Sequence, residues 1–207
     1  MIMKIIDITT EAFTSPSYAE DPPAKFKWHK SIDSGDDYNL SVFRMTPHTG
    51  THIDAPSHFI DGAENIDEID LNKCCGPCTV VTIQGVLTGE DMDELLPYCR
   101  KRLLIHGSGE AVLELSAARV LAENGIKLIG TDAISISFFK QETEVHRELL
   151  SHGIVILENL NLDDVRDGEY MLSALPIKLG GLEAAPVRAV LFPIPDNKAK
   201  KSGTTLQ

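Results

Sequence analysis

The chain has 207 residues, of which 43% are hydrophobic and 24% are charged, and its formal net charge is −12 at pH 7. This length and this balance are typical of one globular domain, so we expect residues 1–207 to fold as a single domain. The acidic surface argues against nucleic acids and anionic membranes as partners.

The start of the chain does not have the features of a targeting segment. Residues 1–7 hold only a short apolar run and lack the charged lead and the cleavage site of a secretory signal. No apolar stretch in the sequence is long enough to cross a membrane as a helix. We therefore expect a cytoplasmic protein that has no membrane partner.

The elements before residue 47 are predicted to be two strands with a loop between them. Strands are expected at residues 3–8 and 38–45, whereas the polar, proline-containing residues 14–36 are expected to be mostly loop. Trp28, the single tryptophan, lies in this loop. We interpret it as a packing or subunit-contact residue in preference to a residue that lines an aromatic substrate pocket.

Beyond residue 59, short apolar strands alternate with helices. Strands are predicted at 79–83, 103–105, 127–130, 154–157, 169–175 and 186–192, and helices at 90–101, 116–124 and 143–152. The alternation from 103 to 158 predicts an α/β architecture with some parallel strands. The acidic run at 61–70 lacks the spacing of a calcium loop, so we expect a solvated loop there. The basic residues near 196–207 are expected to form a mobile tail.

Three polar side chains close predicted strands, namely His106, Asp132 and Glu158. Ligands bind beyond the carboxyl ends of parallel strands, so we expect all three side chains near a binding site. A charged residue that closes an apolar strand has to meet a cation or water, which draws attention to Glu158. The Gly107–Gly109 segment is too short for a dinucleotide-binding fingerprint.

The four cysteines do not form a convincing redox or zinc motif. Cys75 and Cys78 are spaced as a CxxC pair, with Cys74 beside them and Cys99 alone. A redox or zinc site needs a thioredoxin-like setting or a second close pair, and neither is present. We expect reduced thiols near a strand.

Residues 47–59 are unusually rich in metal-binding side chains. They hold three of the seven histidines and one aspartate among apolar residues. Buried imidazoles and carboxylates are costly unless they are paired. Gly50 and Pro56 prevent a single helix here and allow the chain to bend.

In an extended chain, His48, His52, Asp54 and His58 would leave on one face. Imidazole and carboxylate are ligands for zinc, manganese or iron, and three protein ligands with an open position are typical of a catalytic metal site. His58 could be a further ligand or a free acid–base group. The competing interpretation is a surface loop of hydrogen-bonded histidines.

This stretch resembles the signature of the cyclase-like metal-dependent hydrolases, the family that contains bacterial kynurenine formamidase. The resemblance rests on the pattern His48-x-Gly50-Thr51-His52-x-Asp54-x-Pro56-x-His58. It extends to residues 5–9, 158–160, 175–181 and 186–190, and so covers most of the chain. It implies an α/β domain with a mixed, barrel-like β core flanked by helices, which assembles as a homodimer or homotetramer.

The resemblance also implies two metal ions per chain. Their ligands would be His48, His52, Asp54, His146 and Glu158. Asp54 would bridge the ions, with His48 and His52 on one of them and the other two residues on the second. On chemistry alone His152 could replace His146, and the family pattern selects His146. Zinc is expected, with manganese as the alternative. His58 would act as general base and then as general acid.

The implied reaction is the hydrolysis of an amide C–N bond by metal-activated water. The foremost expectation is an arylformamidase, which converts N-formylkynurenine to kynurenine and formate in tryptophan degradation. The sequence departs from the formamidase pattern at His106–Gly109, where an Arg-Thr pair is usual, and at Gly130–Ser135, which lacks a proline.

These departures leave other small-molecule substrates open for the same metals. A hydrolase of isatin-type cyclic amides or of lactones, or a polyketide-type cyclase, would fit as well. A non-catalytic metal-binding protein is the third alternative. It would be expected to lack a ligand or the acid–base residue, and none is missing.

Overall fold

The computed structural model describes residues 4–16, 18 and 21–194. The predicted basic tail at 196–207 lies outside these residues. The strands are β1 (Ile6–Asp7), β2 (Lys25–Lys30), β3 (Leu40–Arg44), β4 (His52–Asp54), β5 (Cys75–Thr82), β6 (Val86–Leu87), β7 (Arg102–His106), β8 (Val112–Leu113), β9 (Leu128–Thr131), β10 (Val155–Glu158), β11 (Gly168–Ser173), β12 (Ala184–Pro186) and β13 (Val190–Pro193). The helices are α1 (Leu71–Cys74), α2 (Gly89–Leu95), α3 (Leu115–Glu123) and α4 (Glu142–Ser151).

Nine strands form one mixed sheet in the order β1-β13-β11-β5-β7-β9-β10-β4-β12. The neighbours among β5, β7, β9 and β10 run parallel, and the other pairs are antiparallel. Helices α2, α3 and α4 follow β5, β7 and β9 along the chain. The predicted alternation of strand and helix, and the α/β class, are confirmed.

The sheet curls until its distant parts meet. Thr9, just after β1, forms an isolated antiparallel bridge with Leu160, just after β10. The backbone amide of Asn161 donates to the carbonyl of Ile8 at 3.0 Å. These contacts join segments whose strands are far apart in the sheet order, which gives the barrel-like β core that the resemblance implies.

Strand alternation divides the interior into two apolar clusters. Leu104 and Leu157 pack inside the curled sheet, whereas Leu103 and Ile156 pack on the opposite face against the helices. Each such side chain contributes roughly 1.5–3 kcal/mol by leaving water. Because α4 covers this second face, any side chain that projects there from β4 or β10 lies beneath α4.

The loop predicted at 14–36 is wrong in part, since β2 occupies Lys25–Lys30 and pairs with β3 in a separate two-stranded sheet. The alternation of lysine with Phe26 and Trp28 was the available signal for a strand. Trp28 is 56% exposed and Phe43 on β3 is 61% exposed. This hairpin therefore contributes little to the interior of its own chain.

Other boundaries shift for local reasons. The helix predicted at 90–101 ends at Leu95 and continues as a 3-10 turn through Tyr98, because Pro97 lacks a backbone donor. The strand predicted at 186–192 is two strands, β12 and β13. Within the described ranges, no helix is long and apolar enough to cross a membrane.

Candidate metal centre

The site is built on the antiparallel pair of β4 and β10. His52 lies opposite Glu158 in this pairing, and Asp54 lies opposite Ile156. Ile53, between the two polar residues, packs in the inner core. His52 and Asp54 therefore project from the other face of the sheet, towards α4. The His52 Nε2 atom lies 3.4 Å from Glu158 Oε2 and 3.5 Å from Asp54 Oδ1.

Helix α4 places His146 over these strands. His146 is buried, and its Nε2 atom lies 3.3 Å from Glu158 Oε1 and 3.8 Å from Asp54 Oδ2. His152, the alternative from chemistry alone, is half-exposed and contacts Glu148 instead. The structure thus brings His146 to the cluster and leaves His152 outside it.

His48 reaches the cluster because the chain bends between it and β4. Its Nδ1 atom lies 3.1 Å from Asp54 Oδ1, and its Nε2 atom lies 3.5 Å from Glu183 Oε1. Gly50 in this bend has φ +66°, a left-handed conformation that favours glycine. A Cβ at Gly50 would also approach the backbone of Thr10 and Ala12 to 3.1 Å.

His58 lies at the end of a 3-10 turn that Pro56 begins. Its ring centroid is 4.2 Å from that of His48 and 6.2 Å from that of His146. Ligand atoms of His48, Asp54 and His58 lie within 4.8 Å of one another. The geometry therefore accommodates His58 as a ligand or as an acid–base group, as the sequence left open.

Backbone carbonyls fix the orientation of two imidazoles. His52 Nδ1 lies 2.9 Å from the carbonyl oxygen of Gly50, and His146 Nδ1 lies 2.8 Å from that of Glu142. An Nδ1–H that donates to a carbonyl leaves the Nε2 lone pair free. In both residues that lone pair points into the cluster, as a metal ligand requires.

Several buried polar atoms of the cluster make no hydrogen bond within the described part of the chain. They are His48 Nε2, His52 Nε2 and both carboxylate oxygens of Asp54. Unsatisfied buried groups of this kind each cost about 1–3 kcal/mol. A cation would satisfy all of them, so the donor set fits a metal.

Asp54 is common to two groups of potential ligands. One group is Asp54 with His48 and His58, and the other is Asp54 with His52 and Glu158. This grouping differs from the predicted one, in which His48 and His52 share one ion. The shared carboxylate, with both oxygens available, is the feature that the two groupings have in common.

The buried imidazoles and carboxylates of the cluster shift one another's pKa values. Burial opposes a charged imidazole, but Glu158 and Asp54 outweigh burial and raise the pKa values of His52 and His146 to about 9. Burial also opposes a charged carboxylate, yet the surrounding imidazoles hold the pKa values of Asp54 and Glu158 below their usual range. The site therefore favours positive charge, whether from protons or from a metal.

His58 behaves differently. Burial, together with His48 and His146, lowers its pKa despite the opposing charge of Asp54. The lowered pKa favours the neutral imidazole, which is the state that a general base needs.

The cluster opens into a cavity of about 200 Å³. Its lining residues are Tyr18, Asp21, His48, His52, His58, Phe59, Ile134, Ser135, Glu142, His146 and Glu158. Of these, the sequence analysis missed Tyr18, Asp21 and Glu142, whereas Ser135 belongs to the Gly130–Ser135 segment that it marked as a departure from the formamidase pattern. The first two lie in the segment predicted as loop, and only the position of Glu142 one helical turn before His146 could have indicated its place.

His106 is the last residue of β7 and Asp132 follows β9, so both lie at the carboxyl ends of strands, as predicted, and they pair at 2.6 Å between Nδ1 and Oδ2. Neither residue lines the cavity of the metal cluster. The two residues therefore lie at the same edge of the sheet as Glu158, but they do not line its cavity.

The cysteines are free thiols, as expected. Burial raises the pKa values of Cys74 and Cys78 to about 12, despite the nearby Arg102. Thiols of this kind are poor nucleophiles and poor metal ligands at neutral pH.

Comparison with known proteins identifies related sequences over most of the chain. A family model described as "Putative cyclase" matches residues 6–137. A "Kynurenine formamidase" of Bacillus cereus is 34% identical over 187 residues, which are 84% of this chain and 90% of that protein. A "Kynurenine formamidase" of Delftia acidovorans is 35% identical over 190 residues, which are 86% of this chain and 91% of that protein.

Solved structures share the fold. One described as a potential metal-dependent hydrolase with cyclase activity has a TM-score of 0.80 and 31% identity, and the match covers 92% of this chain and 98% of that one. Isatin hydrolase A from Labrenzia aggregata has a TM-score of 0.76 and 22% identity, and the match covers 92% of this chain and 93% of that one. The second similarity concerns the fold alone.

Proposed function

The chain belongs to the cyclase family of metal-dependent hydrolases, and we propose that it hydrolyses the amide bond of an N-formyl aryl amine, with N-formylkynurenine as the expected substrate. The observation that carries this proposal is the buried carboxylate of Asp54, whose two oxygens face the imidazoles of His48 and His146 at 3.1 and 3.8 Å and lie near no lysine or arginine among the described residues. The relatives at 34–35% identity named kynurenine formamidase support the choice of substrate.

The donor set supports a metal cofactor, and we propose two ions per chain. The ligands would be His48, His52 and Asp54 for one ion, and Asp54, His146 and Glu158 for the other. Zinc suits these nitrogen and oxygen donors, and manganese is the alternative. Bound metal would polarise the substrate carbonyl and supply water with a pKa lowered to about 7.

His58 would carry the proton. Its neutral imidazole accepts a proton from the attacking water and then donates it to the aryl amine nitrogen as the C–N bond breaks. An amine leaves poorly unless it is protonated, so this transfer is required for the products to form. Phe59, whose ring lies 4.3 Å from His58, restricts the approach of water on one side.

A second candidate is hydrolysis of a compact cyclic amide or lactone by the same residues. The cavity of about 200 Å³ favours it, since this volume is below the range of about 300–1,000 Å³ that is usual for ligand pockets. A cyclic substrate would open without releasing formate, and this distinguishes the two reactions.

The test combines metal analysis with formate release from N-formylkynurenine. We expect about two metal ions per chain and rapid formate release, and loss of both in His146→Ala. His152→Ala is the matched control, because this histidine lies outside the cluster. Bound metal without formate release would move the assignment to cyclic amides and lactones. A protein that neither binds nor responds to zinc or manganese would overturn the proposal.

We further propose that the chain assembles as a homodimer through the β2–β3 hairpin, or as a homotetramer built from such dimers. The hairpin exposes Phe26, Trp28 and Phe43, which would otherwise form an apolar surface in water. It also carries several lysines and an arginine, whereas the chain as a whole has a net charge of −12. A second copy therefore offers complementary charge. Sedimentation velocity should show a dimer or tetramer that dissociates in Phe43→Glu, and a monomeric wild type would contradict this assembly.

A further inference from the structure

The amino-acid end of the proposed substrate needs space beyond the metal cavity. That cavity has a volume of about 200 Å³, below the range that is usual for ligand pockets. Besides its formamide and aromatic ring, N-formylkynurenine has a ketone side chain that ends in an ammonium and a carboxylate group. When the formamide lies at the metal cluster, this zwitterionic end has to extend out of the cavity and onto an adjoining surface.

A groove between α3 and α4 adjoins the cavity at Phe59, which lines both. The groove has a volume of about 600 Å³, and Ile60 and Leu115 add apolar surface to it. The Phe59 ring packs against the rings of His58 and His146, with centroids 4.3 and 4.5 Å away. Phe59 is thus the boundary between the catalytic histidines and the groove, and a substrate that extends past it reaches the groove.

Arg147 in this groove is directed towards Phe59 and not towards the carboxylates of its own helix. Its Nε–H donates to the carbonyl oxygen of Phe59 at 3.2 Å. Glu144 lies three residues earlier on α4, a spacing that favours ion pairing, yet no ion pair joins the two side chains. The two terminal nitrogens of Arg147 have no acceptor in the described part of the chain, so their donors are available to a ligand.

The groove contains a second arginine and a carboxylate that are likewise available. Arg119 on α3 lines it and forms no ion pair among the described residues. Of the two glutamates of α4 that line it, Glu148 contacts His152 at 3.6 Å, whereas Glu144 has no cationic partner within the described ranges. The groove therefore offers both signs of charge beside an apolar surface, as an amino-acid side chain requires.

We infer that Arg147 and Arg119 bind the carboxylate of an amino-acid substrate in this groove, with Glu144 on its ammonium group, and select amino-acid formamides over formamides that lack this end. The inference rests on the proposed formamide hydrolysis for the reacting end of the substrate. A guanidinium presents paired N–H donors that match the two oxygens of a carboxylate. A formamide without the amino-acid end makes none of these contacts, and the difference in affinity is the specificity.

The test compares N-formylkynurenine with 2-formamidoacetophenone, which retains the formamide, the ring and the ketone but lacks the amino-acid end. Formate release gives kcat/KM for each compound, and the ratio of the two values measures the preference. Calorimetry measures the same preference in binding, with the deformylated compounds kynurenine and 2-aminoacetophenone. We expect a preference of about tenfold for the amino-acid compound in both measurements, because several partly exposed ion pairs act together. It should decrease as salt is added.

The variants assign the preference to the two arginines. Arg119→Gln and Arg147→Gln should each lower the ratio about threefold to fivefold, the order of effect of one partly exposed ion pair. Arg147→Gln also removes the hydrogen bond to Phe59, but a merely structural effect would lower both values of kcat/KM and leave their ratio as it was. Arg166→Gln is the matched control, because it removes the same charge from an exposed residue outside the groove, and its ratio should equal that of the wild type.

The outcomes separate this inference from the proposed function. Formate release from both formamides at equal kcat/KM would support the formamidase assignment and overturn the groove site. A ratio that either arginine variant leaves at the wild-type value, or no binding of kynurenine, would also overturn the groove site. Tighter binding of kynurenine than of 2-aminoacetophenone that both variants reduce, without formate release from either formamide, would support the groove site and overturn the formamidase assignment.

Discussion

His52 and Glu158 are direct cross-strand neighbours in the β4–β10 pair, and their side chains meet at 3.4 Å between Nε2 and Oε2. The most buried part of the site is thus set by backbone pairing and not by a loop. Sites on strands hold their geometry more closely than sites on loops. We therefore expect the ligand geometry to persist whether or not metal is bound.

Asp54→Asn should abolish tight metal binding. The amide retains the shape of the side chain but lacks the charge that both proposed ions share. We expect metal content below one ion per chain and a decrease in kcat/KM of at least about a thousandfold, the order of effect seen when a transition-state charge partner is removed. Asp61→Asn, an exposed carboxylate just beyond the motif, is the control and should retain metal and turnover. Normal metal content in Asp54→Asn would exclude the bridging role.

His58→Ala should separate chemistry from metal binding. A general acid–base residue contributes about 10²- to 10⁴-fold, so kcat should fall within this range while metal content is unchanged. Elemental analysis and formate release on the same sample provide the measurement. Because His58 can also approach a shared ion with His48 and Asp54, loss of metal in this variant would identify it as a ligand instead.

The stability of the metal-free protein should decrease as the pH rises from about 6.5 to about 9. The pKa values of His52 and His146 are about 9 in the folded chain, against an ordinary value of 6.5. Their protonated forms therefore stabilise the fold below pH 6.5, and this contribution is lost as the pH rises through 9.

Metal binding requires the deprotonated imidazoles, so the rise in Tm on adding zinc should grow over the same pH interval. Thermal unfolding with a chelator and with zinc at each pH measures both trends. His146→Gln should flatten the chelated series. A Tm of the metal-free wild type that is constant or rising between pH 6.5 and 9 would contradict this account.

Gly50→Ala should destabilise the protein more than Gly62→Ala. Both glycines have similar positive φ values, +66° and +70°, so the backbone strain of about 1–3 kcal/mol is shared. Only at Gly50 would the new Cβ approach other backbone atoms, at 3.1 Å, whereas nothing lies within 4 Å at Gly62. Denaturant unfolding of the two variants gives the difference, and only Gly50→Ala should also weaken zinc binding, because it displaces His48. Equal losses would show that the contact with residues 10–12 is unimportant.

The sequence predicted the parts of the site that are close together in the chain. His48, His52, Asp54 and His58 lie within eleven residues, so their spacing alone indicated a metal, and Gly50 indicated the bend. His146 needed the family resemblance, since one histidine on a helix is not distinctive.

The wall of the cavity could not be predicted in the same way. Tyr18, Ser135 and Glu142 come from three separate segments, and only the folded chain brings their side chains together. The hairpin strand at Lys25–Lys30 was missed for a different reason. Neighbouring prolines suggested a loop, although the alternation of lysine and aromatic residues was present.

Strand β4 lies between β10 and β12 in the sheet, and both of these neighbours are more than one hundred residues later in the chain. During synthesis, the histidine-rich segment therefore leaves the ribosome long before either neighbouring strand exists. Contacts of such high sequence separation form late in folding. Fragments that end before residue 155 lack Glu158 and both strand neighbours of β4, so ribosome-bound fragments of this length should bind zinc far more weakly than the finished protein.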